Sequence, residues 1–344
     1  MRVAHLSFCV AVTALVGEMP ANAVECDALG HVKFVCGQAG PEDLVAVPGS
    51  PWVLAGGFVA GNGSIRLVNT RDHTTTIAFP TATPRVRPDT RTYASCPGPL
   101  DAAAKDISVH GLHLRPGKGS VHTLFAVHHG SRESIEMFEL RADVQTPTLT
   151  WIGCVVAPDP IGLNAVVGLP DGGFITTNFR PRGDPNNREK MLAGERNGEL
   201  WEWHPSTGWK SLPGTEASGA NGLELSKDGK TMYVGGWGDR TFLRISRGAT
   251  PVSRDVVPLR FRIDNLRWAP DGSLLGAGQG GAAPNGTSVI VKINPKTLKV
   301  DELFTYPDNS TFGFGTVAIQ VDQEIWVGAP RGDRIARFPA ARVQ

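Results

Sequence analysis

Gly222-Leu223-Glu224-Leu225-Ser226-Lys227-Asp228-Gly229, running on into Met232-Tyr233-Val234, is the stretch whose reading decides the fold. Apolar and polar residues alternate with period two, an Asp-Gly pair supplies a turn with positive φ, and a second β-rich run follows. That is the signature of a β-hairpin. Moving outward, the same phrase recurs five times. Upstream lie Leu44-Val45-Ala46-Val47-Pro48-Gly49 with Trp52-Val53-Leu54-Ala55, Gly111 to Gly117 with Thr123-Leu124-Phe125-Ala126-Val127, and Ala165 to Gly172 with its following strand. Downstream lie Leu266-Arg267-Trp268-Ala269-Pro270-Asp271-Gly272 with Leu274-Leu275, and a fainter copy, Val317 to Val321 with Ile325-Trp326-Val327. The copies start about 45 to 70 residues apart, the spacing of four-stranded blades with variable loops. No stripe of period 3.6 competes. A single such sheet cannot bury both faces, whereas six arranged radially can, so the expected fold is an all-β, six-bladed β-propeller spanning residues 24–344.

Composition agrees with a turn-rich globular chain: 344 residues, 41 glycines, 26 prolines and a net charge of +1. Neither sign of charge is in excess, and no basic surface for nucleic acid is indicated. Residues 1–23 read as a signal peptide. Arg2 precedes an apolar run from Leu6 to Val16, too short to span a bilayer, and Ala21-Asn22-Ala23 is a small-x-small cleavage pattern. The mature chain is therefore expected outside the cytoplasm, secreted or periplasmic, without a membrane anchor and as a monomer. Four cysteines then remain, Cys26, Cys36, Cys96 and Cys154, enough for two disulfides with three possible pairings. The expected pairing is Cys26–Cys36 and Cys96–Cys154.

The repeat also brings unusual residues into phase. A polar residue stands just before or at the start of most inner-strand patterns: Glu42-Asp43, His110, Asn164, Asn221 and Asp264-Asn265. Equivalent positions of successive blades converge on the propeller axis, so these residues should meet in one central tunnel. Singly, each Asn or Asp reads as a turn residue. Together they make a set of carboxylate and amide oxygens, hard ligands suited to calcium and not to zinc.

Here a resemblance becomes specific. Pro41-Glu42-Asp43-Leu44, His110-Gly111-Leu112, Leu163-Asn164, Ala220-Asn221-Gly222 and Ile263-Asp264-Asn265-Leu266 resemble, in order and spacing, the metal-site motifs of the paraoxonase (arylesterase) family. Arg132-Glu133-Ser134-Ile135-Glu136-Met137-Phe138 is similar to the strand that follows the family's second histidine. The resemblance implies a catalytic calcium held by Glu42, Asn164, Asn221, Asp264 and Asn265. It also implies His110 as general base, with His129 of Val127-His128-His129-Gly130 behind it. The reaction it implies is hydrolysis of small lactone or aryl-ester substrates, in which the metal polarises the carbonyl and a histidine with a pKa near 6.5 activates water. A rival assignment gives water activation to Asp264.

Two departures stand out. For the family's second, structural calcium, Asp43 and the Leu112 carbonyl remain as possible ligands, but Ala165 stands where another aspartate would be. The resemblance to that second site is therefore incomplete. In place of an apolar, lipid-binding segment, Arg180 to Gly198 is charged and should form a polar flap. Other devices are missing: there is no G-x-S-x-G elbow, no H-E-x-x-H and no Walker A motif. A gluconolactonase-type sugar lactonase, a propeller lyase and a non-catalytic binding propeller are the alternative functions.

Overall fold

The computed structural model describes residues 26–101, 106–281 and 285–340. The signal-peptide reading of residues 1–23 lies outside them. Among the described residues twenty-five strands form six small sheets, and the inner strands touch one another in cyclic order, closing a six-bladed β-propeller. The inner strands of blades 1 to 6 are Pro41–Ala46, Ile107–Arg115, Leu163–Gly168, Ala220–Leu225, Arg262–Trp268 and Val317–Val321. Each contains or overlaps one of the six repeated phrases.

The ring is closed by an exchange at its seam. Blade 6 takes its outermost strand from the start of the described chain: Lys33–Val35 pairs antiparallel with Ile335–Pro339, with Phe34 opposite Ala336. Blade 2 carries a fifth, parallel edge strand, Arg85–Val86. The apolar core is divided into six clusters, one between each pair of adjacent blades. Between blades 6 and 1, for example, Leu44, Val53 and Val68 meet Val317, Trp326 and Ile335. Every sheet thus buries both faces against its neighbours, as the patterning requires.

The hairpin turns explain why one copy reads faintly. Gly172 and Gly272 take φ of +97° and +81°, but in blade 6 the left-handed position falls to Asp322, at +50°. Aspartate tolerates that conformation through its short polar side chain, so the turn forms without the glycine that marks the others. Both expected disulfides, Cys26–Cys36 and Cys96–Cys154, are present. The segment 180–198 contains the only α-helix among the described residues, Asn187–Leu192, whose buried Met191 packs against Gly219 and Gly238. No helix among the described residues is long and apolar enough to cross a membrane.

Candidate functional site

Five of the six inner strands break register at the polar position singled out above. The shifts fall between Pro41 and Asp43, Val109 and Leu112, Leu163 and Val166, Ala220 and Leu223, and Ile263 and Leu266. Such a bulge leaves a residue out of the ladder and bends the strand, which re-aims the local side chain. The residues so presented are Glu42, His110, Asn164, Asn221, Asp264 and Asn265. Blade 6, which supplies none of them, pairs without a shift. Glycine follows His110 and Asn221 because the next blade's bulge lies against it. A Cβ on Gly111 would sit 2.2 Å from the Asn164 carbonyl oxygen, and one on Gly222 the same distance from that of Asp264.

The bulges gather the side chains into one buried cluster. Asn265 Nδ2 donates to Glu42 Oε1 at 2.9 Å, and the Asn221 amide bonds the Asp264 carboxylate. Asp264 Oδ2 accepts from Gln279 Nε2 at 2.9 Å, and Gln279 Oε1 in turn accepts from Trp237 Nε1 at 2.7 Å. Thr316 ties blade 6 to the same place, its hydroxyl donating to the Glu42 carbonyl at 2.7 Å and its own carbonyl accepting from Asn265 N–H at 2.8 Å. Gln279, Trp237 and Thr316 were not singled out in the sequence. Gln279 is the only polar side chain in Leu274–Gly280, and that was the available signal.

Three oxygens of this cluster, Glu42 Oε2, Asn221 Oδ1 and Asn265 Oδ1, are buried without any hydrogen-bond partner in the protein, and so is Asn164 Oδ1 at the equivalent bulge of blade 3. Buried acceptors left unpaired are costly and rare in folded proteins. The two carboxylates compound the cost. Burial pushes Glu42 up to about 7, although the Arg267 guanidinium and the Asn265 amide pull it down. Burial and the Glu42 charge push Asp264 well above the usual carboxylate range. Two carboxylates and three amides, with unpaired oxygens from four blades, fit a hard, oxygen-seeking cation such as calcium. Among the described residues no three His, Cys, Asp or Glu side chains cluster as a metal-ligand set.

His110 stands beside this cluster. Its Nε2 is 3.6 Å from Glu42 Oε1, its Nδ1 is 2.9 Å from His129 Nε2, and the Phe58 ring stacks on it at 4.2 Å. Burial lowers its pKa to about 4, not the value near 6.5 of a solvated imidazole, so the ring is neutral at pH 7. His128 turns to the opposite face of the strand, toward the carbonyl oxygens of Arg132 and Asp106.

Further along the same inner strands the residues do not fit a second ion. The Arg267 guanidinium, unremarked in the sequence, bonds both the Asp43 carboxylate and, at 2.8 Å, the Leu112 carbonyl. It also donates to the carbonyls of Leu44 and Leu266, at 3.2 and 2.7 Å, and stands 3.8 Å from Glu224. The two possible ligands thus already share a cation that belongs to the chain.

No family model matches this chain, and no curated protein matches it. Solved structures do. A luciferin-regenerating enzyme superposes with a TM-score of 0.56 at 16% identity, covering 89% of this chain and 94% of its own. A structural-genomics gluconolactonase candidate gives 0.53 at 14%, covering 91% and 93%. The calcium-binding protein regucalcin from Agrobacterium tumefaciens gives 0.50 at 11%, covering 88% and 90%. At these identities the likeness establishes the fold, and the fold hosts several chemistries.

Proposed function

We propose that this protein is a calcium-dependent hydrolase of lactones and related carboxylic esters, similar in mechanism to the paraoxonases. The observation that carries the reading is the set of four unpaired, buried oxygens, delivered by bulges of four different blades, beside a hydrogen-bonded histidine pair. Glu42, Asn164, Asn221, Asp264 and Asn265 would hold the ion. When bound, calcium supplies Lewis-acid polarisation of the substrate carbonyl and charge stabilisation for the developing oxyanion.

The chain's own residues supply the rest. His110 accepts a proton from the attacking water, and His129 supports it from behind. Phe58, stacked on His110, keeps the imidazole in one orientation and presents an apolar wall to the substrate. Asp264 is held by Gln279 and Asn221 and is assigned to the metal, not to proton transfer. The two disulfides fit an oxidising compartment, so we assign residues 1–23 to export and the mature chain to the periplasm or the exterior.

The test is hydrolysis of a δ-lactone, an aryl acetate and a sugar lactone, with calcium and after chelation. Lactone hydrolysis should require calcium. His110→Gln should keep calcium affinity and slow the reaction by about 100- to 10,000-fold, the usual span for losing a general base. No turnover of any of the three substrates, or turnover indifferent to chelation, would overturn the reading. A wild-type rate in His110→Gln would move water activation to Asp264.

A further inference from the structure

The histidine pair does not end at His129. His129 Nδ1 lies 2.9 Å from Oε2 of Glu133, which sits at the tight turn between Val121–Gly130 and Ser134–Arg141. The other Glu133 oxygen, Oε1, accepts the backbone N–H of Leu163 at 2.7 Å, one residue before Asn164. Its backbone carbonyl accepts from Ala157 N–H at 2.9 Å. The side chain is only 8% exposed, so this carboxylate is fixed at both oxygens and is not a solvated surface acid. Its neighbours in the same turn have structural duties instead. Arg132 and Ser134 both bond Glu136, as does Trp151.

The order of these contacts dictates where the protons are. A carboxylate can only accept hydrogen bonds, so His129 must carry its proton on Nδ1. A neutral His129 then has a bare Nε2, which accepts from His110, and His110 must carry its own proton on Nδ1. That leaves the lone pair of His110 Nε2 free, and this is the nitrogen nearest Glu42. Without Glu133 the opposite arrangement is equally available to the pair: His129 donates from Nε2, His110 accepts at Nδ1, and His110 Nε2 is blocked by its proton.

We propose that Glu133 is the positioning residue of this site, selecting through His129 the one tautomer of His110 that can accept a proton from water. The inference rests on the hydrolytic reading for its consequence, but not for its geometry. It also foretells an inversion. In Glu133→Gln the Leu163 N–H still requires an acceptor, so the amide oxygen faces Leu163 and the NH₂ group faces His129. A donor there demands a bare Nδ1 on His129, and both histidines switch tautomer. Glu133→Asp retains an acceptor-only group.

The experiment is nitrogen-15 NMR of the imidazole rings in the calcium-loaded full chain, with lactone kinetics on the same samples. Wild type and Glu133→Asp should show both histidines protonated at Nδ1. Glu133→Gln should show both protonated at Nε2, with unchanged calcium affinity and KM and a kcat lower by about 100-fold or more, the scale of a lost general base. An Nε2-protonated His129 in the wild type, or tautomers unchanged in Glu133→Gln, would overturn the proposal. The wild-type spectrum decides it even if the glutamine variant does not fold. Since the tautomers are read without substrate, a protein that hydrolyses no lactone would sink the hydrolase reading and leave this one standing or falling on the spectra.

Discussion

Two successive layers of one tunnel, built by the same inner strands, handle buried charge in opposite ways. In the layer of Glu42 and Asp264, carboxylates and amides converge with no cationic side chain among them, and four oxygens find no partner. A step further along the strands, Asp43, Glu224 and the Leu112 carbonyl surround the Arg267 guanidinium. A cation tethered to the chain is permanent and makes that layer part of the core. A layer left to an exchangeable cation keeps coordination positions open for water or substrate, which catalysis needs and structure does not. Under the proposed reading, the difference explains how this chain could dispense with a second ion while leaving the first site to an exchangeable one.

The comparison is most severely tested by removing the tethered cation. Arg267→Ala leaves Asp43 and Glu224 buried without a counter-charge, and loss of one partner from a buried pair typically costs about 3 to 5 kcal/mol. Denaturant titration should show that loss. Metal analysis should show one calcium per wild-type chain, and a second, weaker calcium in the variant that recovers part of the stability. A variant as stable as the wild type, still with one calcium, would mean that the guanidinium is incidental.

A smaller effect is expected in the other layer. Calcium at about 100 times its Kd should stabilise the native state by about 2.7 kcal/mol, because the ligands from four blades are assembled only when folded. Asp264→Ala removes an oxygen and a charge, Asn221→Ala only an oxygen, so affinity by calorimetric titration should fall further in the first than in the second. Equal affinities in both variants and the wild type would rule out this ligand set.

Much of the fold is legible in the sequence alone. Period-two runs ending in Asp-Gly mark the hairpins, and six copies demand a closed ring. The phase shared by Glu42, Asn164, Asn221 and Asp264 pointed to the axis. What the sequence concealed follows from the same alternation. Leu266-Arg267-Trp268 and Leu223-Glu224-Leu225 read as core, outward, core. On an inner strand, however, the "outward" face is the tunnel, so Arg267 and Glu224 are buried at 8% and 5% exposure and not solvated. The bulges were equally hidden, since one unpaired residue leaves no composition signal except the glycines after His110 and Asn221. Glu133 lies in a turn, where charge usually means solvent, and its contacts with His129 and Leu163 depend on how blades 2 and 3 meet.

The mildest test of the two-layer comparison is pH. Glu42 and Glu224 are raised from 4.5 to about 7 and Asp43 from 3.8 to about 6, all chiefly by burial, and Asp264 is raised well above 3.8. Each raised pKa means that the folded, metal-free protein retains a proton that the unfolded chain has already released. The contribution of these four groups to stability is therefore fully present below about pH 4 and declines as pH rises toward 7. Calcium acts on only one of the two layers. Binding displaces the protons of Glu42 and Asp264, and each displaced proton makes affinity rise about tenfold per pH unit below the pKa of the group that holds it. Asp43 and Glu224 already face Arg267 and are not among the proposed ligands of the ion. Melting followed at fixed calcium should thus show a stabilisation by the metal that is larger at pH 8 than at pH 5, and this growth should persist in a Glu224→Gln variant. A calcium shift of equal size at both pH values would mean that Glu42 and Asp264 are ionised without the metal, and the contrast between an exchangeable and a tethered cation would lose its electrostatic basis.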